Sequence, residues 1–131
     1  MSGDPGGGAA AADRIVPKPW GQERIWAQTD RYVGKVITIN AGNRLSLQMH
    51  RLKDEWVLIQ RGHLSLHHGP ALDAMAVDVL GPGMQRHIPV GLIHRFEATD
   101  EDVELIEIST PELDDVVRLE DDYGREGTNA P

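Results

Sequence analysis

The sequence contains no cysteine, which excludes disulfides, thiolate metal sites, iron–sulfur clusters and cysteine nucleophiles. It also lacks any apolar run that approaches the roughly 18 residues of a membrane helix. Basic residues are scarce: 13 Lys and Arg stand against 21 Asp and Glu, for a net charge of −8. This balance opposes binding to nucleic acid or an anionic membrane, because phosphate contacts need clustered cations. We therefore expect neither partner, and an anionic ligand would require a locally positive pocket.

A chain of 131 residues has the size of one domain. Its start, "MSGDPGGGAAAADR", is rich in Gly and Ala and lacks the basic region and apolar block of a signal peptide. We predict a cytoplasmic protein with a flexible N-terminal tail at 1–14, one folded domain at 15–126 and a flexible C-terminus at 127–131.

Alternation of apolar and polar residues at period two is the main pattern, and it predicts β-strands. The predicted strands are "KVITI", "LSLQMH", "EWVLIQ", "HLSLH", "AMAVDVL", "MQRHI", "LIHRF" and "VELIEIS". Turn signals rich in Gly, Pro, Asn and Asp separate them at spacings of roughly 8–12 residues, which is typical of an antiparallel sandwich or barrel. The segment 112–124 is predicted to form a short helix or an ordered tail.

Four side chains that can bind a metal are predicted to converge. Gln48 and His50 are two residues apart on one strand and therefore share a face. If "RLKD" reverses the chain, Glu55 meets His50 across a hairpin, and the later Pro-Val-Gly corner delivers His94. Two imidazoles, one carboxylate and one amide oxygen suit a divalent metal with open positions for water or substrate.

Glycine, proline and the predicted ligands fall in the register of two known motifs. The sequence resembles the first cupin signature at Gly42, Gln48, His50, Glu55 and Gly62, with Gln at the first histidine position. It resembles the second at Gly83, Pro89, Gly91 and His94, with Ala98 where Asn is usual. Within cupins, the sequence is similar over residues 17–125 to the C-terminal cupin domain of type II mannose-6-phosphate isomerases. The segments that carry this similarity are "KPWG", "LSLQMH", "EWV", "IPVGLIHR", "IEI" and "DDVVRLEDDYGR". A nucleotidyltransferase domain often precedes this domain in that family; none is found in this sequence, so we do not expect its activity.

The resemblance implies an all-β, single-domain cupin, a double-stranded β-helix or jelly-roll barrel with the metal inside. It implies one divalent ion per chain at Gln48, His50, Glu55 and His94, with zinc expected first and manganese, cobalt, nickel or iron as alternatives. The implied reaction interconverts an aldose phosphate and a ketose phosphate, with mannose 6-phosphate and fructose 6-phosphate as the first pair. Another small hydroxy-carbonyl substrate, or a sugar- or metal-binding role without turnover, remains open. A homodimer is also implied, with "KVITI" as a sheet edge that could pair.

Three further residues are predicted to serve catalysis because the resemblance places them at basic or aromatic family positions: Lys53, Arg95 and His87. Lys53 would handle phosphate or a proton, or else be an exposed turn residue. Arg95 would bind substrate or form a surface ion pair, and its side chain should point away from the face of His94. His87 would line the pocket mouth or lie on the surface. Glu107 joins Lys53 and His87 as a candidate for the proton-transfer group.

Overall fold

A computed structural model describes residues 13–128, and every regular element in that range is a β-strand. The strands are β1 (Arg14–Lys18), β2 (Gly21–Gln28), β3 (Val33–Ile39), β4 (Leu47–Met49), β5 (Glu55–Arg61), β6 (Leu64–Gly69), β7 (Ala76–Leu80), β8 (Gln85–Ile88), β9 (Ile93–Ala98), β10 (Val103–Ser109), β11 (Val117–Glu120) and β12 (Gly127–Thr128). Nearly all of the predicted tail at 1–14, and residues 129–131 of the predicted C-terminus, lie outside the described residues. Within those bounds no helix is long and apolar enough to cross a membrane.

The strands form two six-stranded antiparallel sheets. The first sheet has the order β1-β2-β3-β10-β5-β8, and the second has the order β12-β11-β4-β9-β6-β7. Consecutive strands of the chain are often in different sheets, so each sheet is assembled from distant parts of the sequence. The all-β barrel predicted from the alternating pattern is confirmed.

The core lies between the sheets because alternate residues of each strand point inward. In β5, Glu55, Val57 and Ile59 are buried, whereas Trp56 and Leu58 are exposed. The same alternation brings apolar side chains from both sheets into one core cluster, whose largest fully buried members include Ile37, Ile59, Leu64, Leu66, Leu80, Ile88 and Leu105. Polar inward-facing residues such as Glu55 are therefore exceptions to an otherwise apolar pattern.

Each predicted strand overlaps an observed one, and the differences lie near the chain ends. Strands β1 and β2 were not predicted, because β2 ("GQERIWAQ") has too many polar residues to alternate clearly. No helix forms in the segment 112–124; it contains turns and β11, so the helix alternative is wrong and the ordered tail is what forms.

The prediction that "KVITI" provides a free sheet edge is wrong. This segment lies in β3, which pairs with β2 on one side and with β10 on the other. Its backbone groups are therefore used within the first sheet. The outermost strands of the described residues are β1 and β8 in the first sheet and β12 and β7 in the second. The predicted homodimer would have to form elsewhere, and it stays a prediction.

Candidate metal centre and cavity

Three of the four predicted ligands meet inside the barrel. The ligand atoms of His50, Glu55 and His94 lie within 4.8 Å of one another. His50 Nε2 is 3.0 Å from Glu55 Oε2, and the two imidazole centroids are 5.1 Å apart. His50 follows β4, Glu55 begins β5 and His94 lies on β9, so both sheets contribute. The three residues are at most 4% exposed.

Backbone groups hold both imidazoles in place. His50 Nδ1 lies 2.6 Å from the carbonyl oxygen of Asp115, and His94 Nδ1 lies 2.9 Å from that of Leu92. The amide of Gly91 donates to the carbonyl of His50 at 2.9 Å, which ties the corner before His94 to the end of β4. Gly91 has φ +85°, a left-handed conformation that favours glycine. The corner thus places the two histidines side by side.

The donor set fits a divalent cation. In a neutral histidine whose Nδ1–H donates to a carbonyl, Nε2 carries a lone pair and can bind metal. The Nε2 lone pair of His50 then faces Glu55 Oε2, which is buried and accepts no hydrogen bond from the described residues. Two acceptors this close require a proton or a cation near both of them.

The protonation states of the cluster agree with a metal-binding role. Burial lowers the pKa of His94 to about 4, which keeps its imidazole neutral at pH 7. Burial alone would raise the pKa of Glu55, but the Lys53 ammonium and the two neighbouring histidines together hold it well below its usual range. Neutral imidazole and ionised carboxylate are the forms that bind a metal.

Gln48 lies beside this cluster. Its backbone is paired with His94 on β9 and with Arg118 on β11, and its side chain lines the same cavity. The amide nitrogen donates to Ser46 Oγ at 3.1 Å, and in this orientation the amide oxygen is left to serve as a ligand. Its role as the fourth ligand stays a prediction.

Buried charges of alternating sign continue from the cluster across the first sheet. Lys53 Nζ lies 3.5 Å from Glu55 Oε2 and 3.3 Å from Glu107 Oε2, and Lys35 Nζ lies 2.9 Å from Glu23 Oε1. Lys53 is only 6% exposed, so its side chain is not that of an exposed turn residue. Burial would lower its pKa, but the carboxylates of Glu107 and Glu55 outweigh that effect and raise it. Burial and the charge of Glu55 raise the pKa of Glu107 to about 7.

Arg95 and His87 have partners outside the cavity. Arg95 is on the opposite face of β9 from His94, as predicted; it is 4% exposed and donates from Nε to the carbonyl of Leu45 at 2.8 Å. His87 stacks on Trp56 with ring centroids 5.0 Å apart. Its Nε2 also lies 2.7 Å from a carboxylate oxygen of Asp54. Neither residue lines the cavity, and the catalytic roles predicted for them stay predictions.

The cavity that the metal cluster lines has a volume of about 90 Å³ and is locally positive. Five basic residues line it, against the three carboxylates Glu23, Glu55 and Glu107: Lys18, Lys35, Lys53, Arg118 and Arg125. The surplus of two positive charges contrasts with the net charge of −8 for the whole chain. The cavity therefore meets the condition set above for an anionic ligand.

Sequence reasoning did not assign Lys18, Arg118 or Arg125 to the site. Lys18 ends β1 and Arg118 lies in β11, two short strands that the alternating pattern did not reveal. Burial lowers the pKa of Arg118, and the positive charge of Arg125 lowers it further. The signals in the sequence were the resemblances of the segments "KPWG" and "DDVVRLEDDYGR" to the family, which mark the segments without giving the position of their side chains.

Comparison with known proteins identifies the family of the chain. Residues 7–121 match the family model described as "Mannose-6-phosphate isomerase C-terminal". The chain is 37% identical over 117 residues to mannose-1-phosphate guanylyltransferase ManC of Salmonella typhimurium, covering 86% of this chain and 23% of that protein. It is 34% identical over 116 residues to xanthan biosynthesis protein XanB of Xanthomonas campestris, covering 86% of this chain and 24% of that protein. The chain thus spans about a quarter of the length of these curated relatives.

Solved structures show the same fold at low sequence identity. The capsular polysaccharide assembling protein CapF from Staphylococcus aureus has a TM-score of 0.72 and 20% identity, covering 82% of this chain and 34% of that one. An RmlC-like cupin from Shewanella frigidimarina has a TM-score of 0.66 and 16% identity, covering 77% and 86%. The chain therefore has a cupin fold and belongs to the mannose-6-phosphate isomerase C-terminal family.

Proposed function

We propose that the protein is a metal-dependent isomerase that interconverts an aldose phosphate and a ketose phosphate, with mannose 6-phosphate and fructose 6-phosphate as the pair. The observation that carries this proposal is the buried His50–Glu55–His94 cluster in the wall of a positively charged cavity. The family match supports the choice of sugar phosphate.

The reaction needs two kinds of assistance. Converting the aldose to the ketose removes a proton from C2 and delivers one to C1, while the hydroxyl proton of O2 moves to O1. A divalent ion held by His50, Glu55, His94 and Gln48 would supply Lewis-acid polarisation of the sugar oxygens. The remaining requirement is a group that accepts and returns the carbon-bound proton.

Lys53 and Glu107 are the groups of this chain best placed to handle that proton. Both are buried, both line the cavity, and Lys53 Nζ lies 3.3 Å from Glu107 Oε2. Glu107 Oε2 is buried, and burial together with the charge of Glu55 raises the pKa of this carboxyl to about 7. We assign the proton transfer to this pair, with Glu107 Oε2 as acceptor and the Lys53 ammonium offsetting negative charge that develops on the sugar.

A coupled assay for fructose 6-phosphate formed from mannose 6-phosphate tests the proposal. Protein reloaded with zinc, cobalt or manganese is compared with an identically treated His50→Ala variant. Turnover by the wild type and its loss in the variant are the expected results. No turnover by protein that carries one metal per chain contradicts the isomerase assignment. A metal-dependent cupin that acts on another hydroxy-carbonyl compound, or one that binds without turnover, would then be the remaining alternative.

A further inference from the structure

Two cations at the cavity form no close ion pair among residues 13–128, although the charge of Glu23 acts on both of them. Lys18 comes from β1 and Arg118 from β11, and neither forms an ion pair there. The other three basic residues of the cavity are neutralised by close carboxylates: Lys35 by Glu23, Lys53 by Glu55 and Glu107, and Arg125 by Asp121. Lys18 and Arg118 are therefore the two basic residues of the cavity that no carboxylate contacts within ion-pair distance in this range.

Arg118 is aimed at the cavity rather than at solvent. Its Nη1 is buried and finds no hydrogen-bond acceptor within the described range. On the second sheet Arg118 lies opposite Gln48, which in turn lies opposite His94. Opposite residues of antiparallel strands share a face, and two strand spacings put the Cα atoms of Arg118 and His94 about 10 Å apart. A buried guanidinium nitrogen without an acceptor is costly, and an anionic oxygen would satisfy it.

Burial changes from one end of the cavity to the other. The metal cluster is almost completely buried, whereas Lys18 and Arg118 are half-buried. A ligand that fits this arrangement has an anionic group at its outer end and hydroxyl or carbonyl oxygens at its inner end. A phosphorylated sugar has both, separated by its carbon chain.

We propose that Lys18 and Arg118 form the subsite for the phosphate group of the sugar substrate, an assignment that rests on the proposed function. Arg118 donates from Nη1 to phosphate oxygens, and Lys18 adds a second positive charge. This arrangement holds the reacting end of the sugar at the metal cluster. The sequence pointed instead to Arg95, whose guanidinium is bound to the carbonyl of Leu45 on the other face of β9.

Direct binding measurements test the subsite without relying on catalysis. Mannose 6-phosphate, mannose and inorganic phosphate are titrated calorimetrically into the wild type and into Arg118→Gln, Lys18→Gln and Arg61→Gln. Arg61 is an exposed residue next to Glu104, so its variant loses the same charge away from the cavity. Arg118→Gln is expected to weaken mannose 6-phosphate binding roughly tenfold to a hundredfold, as for loss of a charge-assisted hydrogen bond. Its affinity for mannose should not change, and thermal unfolding verifies that each variant is folded.

The outcomes separate this proposal from the isomerase proposal. If Arg118→Gln and Lys18→Gln bind mannose 6-phosphate as tightly as Arg61→Gln does, the subsite is wrong. The subsite is also wrong if the folded wild type binds neither inorganic phosphate nor mannose 6-phosphate.

Turnover measured on the same preparations adds a second comparison. The subsite predicts a raised KM with a nearly unchanged kcat for Arg118→Gln. Turnover with an unaltered KM in this variant overturns the subsite and leaves the isomerase. Binding that depends on Arg118 in a protein without turnover supports the subsite and overturns the isomerase.

Discussion

Replacing Asp115 with alanine should weaken both the fold and the metal centre, because this residue fixes the turn between two ligands. Its carboxylate accepts the backbone amides of Arg51, Leu52 and Lys53 at 3.1, 2.6 and 2.8 Å. Its carbonyl oxygen holds Nδ1 of His50. Burial would raise the pKa of Asp115, but the three amides outweigh that effect and lower it, so the carboxylate is ionised at pH 7.

The magnitude follows from these contacts. A hydrogen bond to a charged group contributes about 1.5–3 kcal/mol when it is buried. Arg51 and Leu52 are exposed, so water partly replaces the carboxylate at their amides in the variant. We therefore expect Asp115→Ala to lower the free energy of unfolding by about 2–4 kcal/mol, which corresponds to about 10 °C in Tm for a domain of this size. Metal affinity should fall about tenfold or more, as when support for a ligand is lost.

Denaturant and thermal unfolding measure the first effect, and metal titration of the folded variant measures the second. Asp114→Ala is the matched control, because Asp114 is exposed and its carboxylate makes no hydrogen bond within the described chain. If Asp115→Ala has the stability and metal affinity of Asp114→Ala, the role assigned to the Asp115 carboxylate is refuted.

Three further outcomes are expected. Gly62→Ala should destabilise the fold by about 2 kcal/mol or more in an unfolding assay, because Gly62 has φ +79° and an added Cβ would collide with the carbonyl of Asp102. Gly83→Ala is the control: Gly83 has φ +86° but open space around it, so this variant should show only the smaller conformational cost. Burial alone would raise the pKa of Asp121, but the hydrogen bonds from Arg125 outweigh that effect and lower it. The ion pair of Asp121 with Arg125 therefore stabilises the fold above about pH 5, and this contribution is lost as the pH falls through the lowered pKa. The stability difference between the wild type and Asp121→Asn should therefore shrink below about pH 4 in denaturant titrations, and a pH-independent difference would contradict it. Excess zinc at about 100 times its Kd should raise the free energy of unfolding by about 2.7 kcal/mol over chelator-treated protein, and equal Tm values would contradict the metal site.

The barrel and most of its metal cluster could be predicted because they depend on local patterns. Two-residue alternation places Gln48 and His50 on one face, and a short turn returns Glu55 beside them. The same rule predicted that the side chain of Arg95 points away from the face of β9 on which His94 lies. The fixed spacing of a strand decides these directions, whatever the rest of the fold does.

The rest of the cavity depends on pairings between distant segments. Arg118 reaches it only because β11 pairs with β4, from which it is separated by about half of the chain. No local period in the acidic segment around Arg118 marks that strand. The position of Lys18 depends on β1 pairing with β2, whose polar residues hid both strands. The same missing strands explain why β3 was expected at an edge, since sheet order is not encoded in the pattern of one strand.

Metal titration of the isomerase reaction tests the central claim most directly. Fructose 6-phosphate formation from mannose 6-phosphate is followed while zinc or manganese is added to metal-free protein, with bound metal quantified in the same samples. We predict that activity rises in proportion to bound metal, reaches its plateau at one ion per chain and stays absent in His50→Ala. Activity that does not depend on metal, or protein with one ion per chain and no activity, would contradict the proposed function.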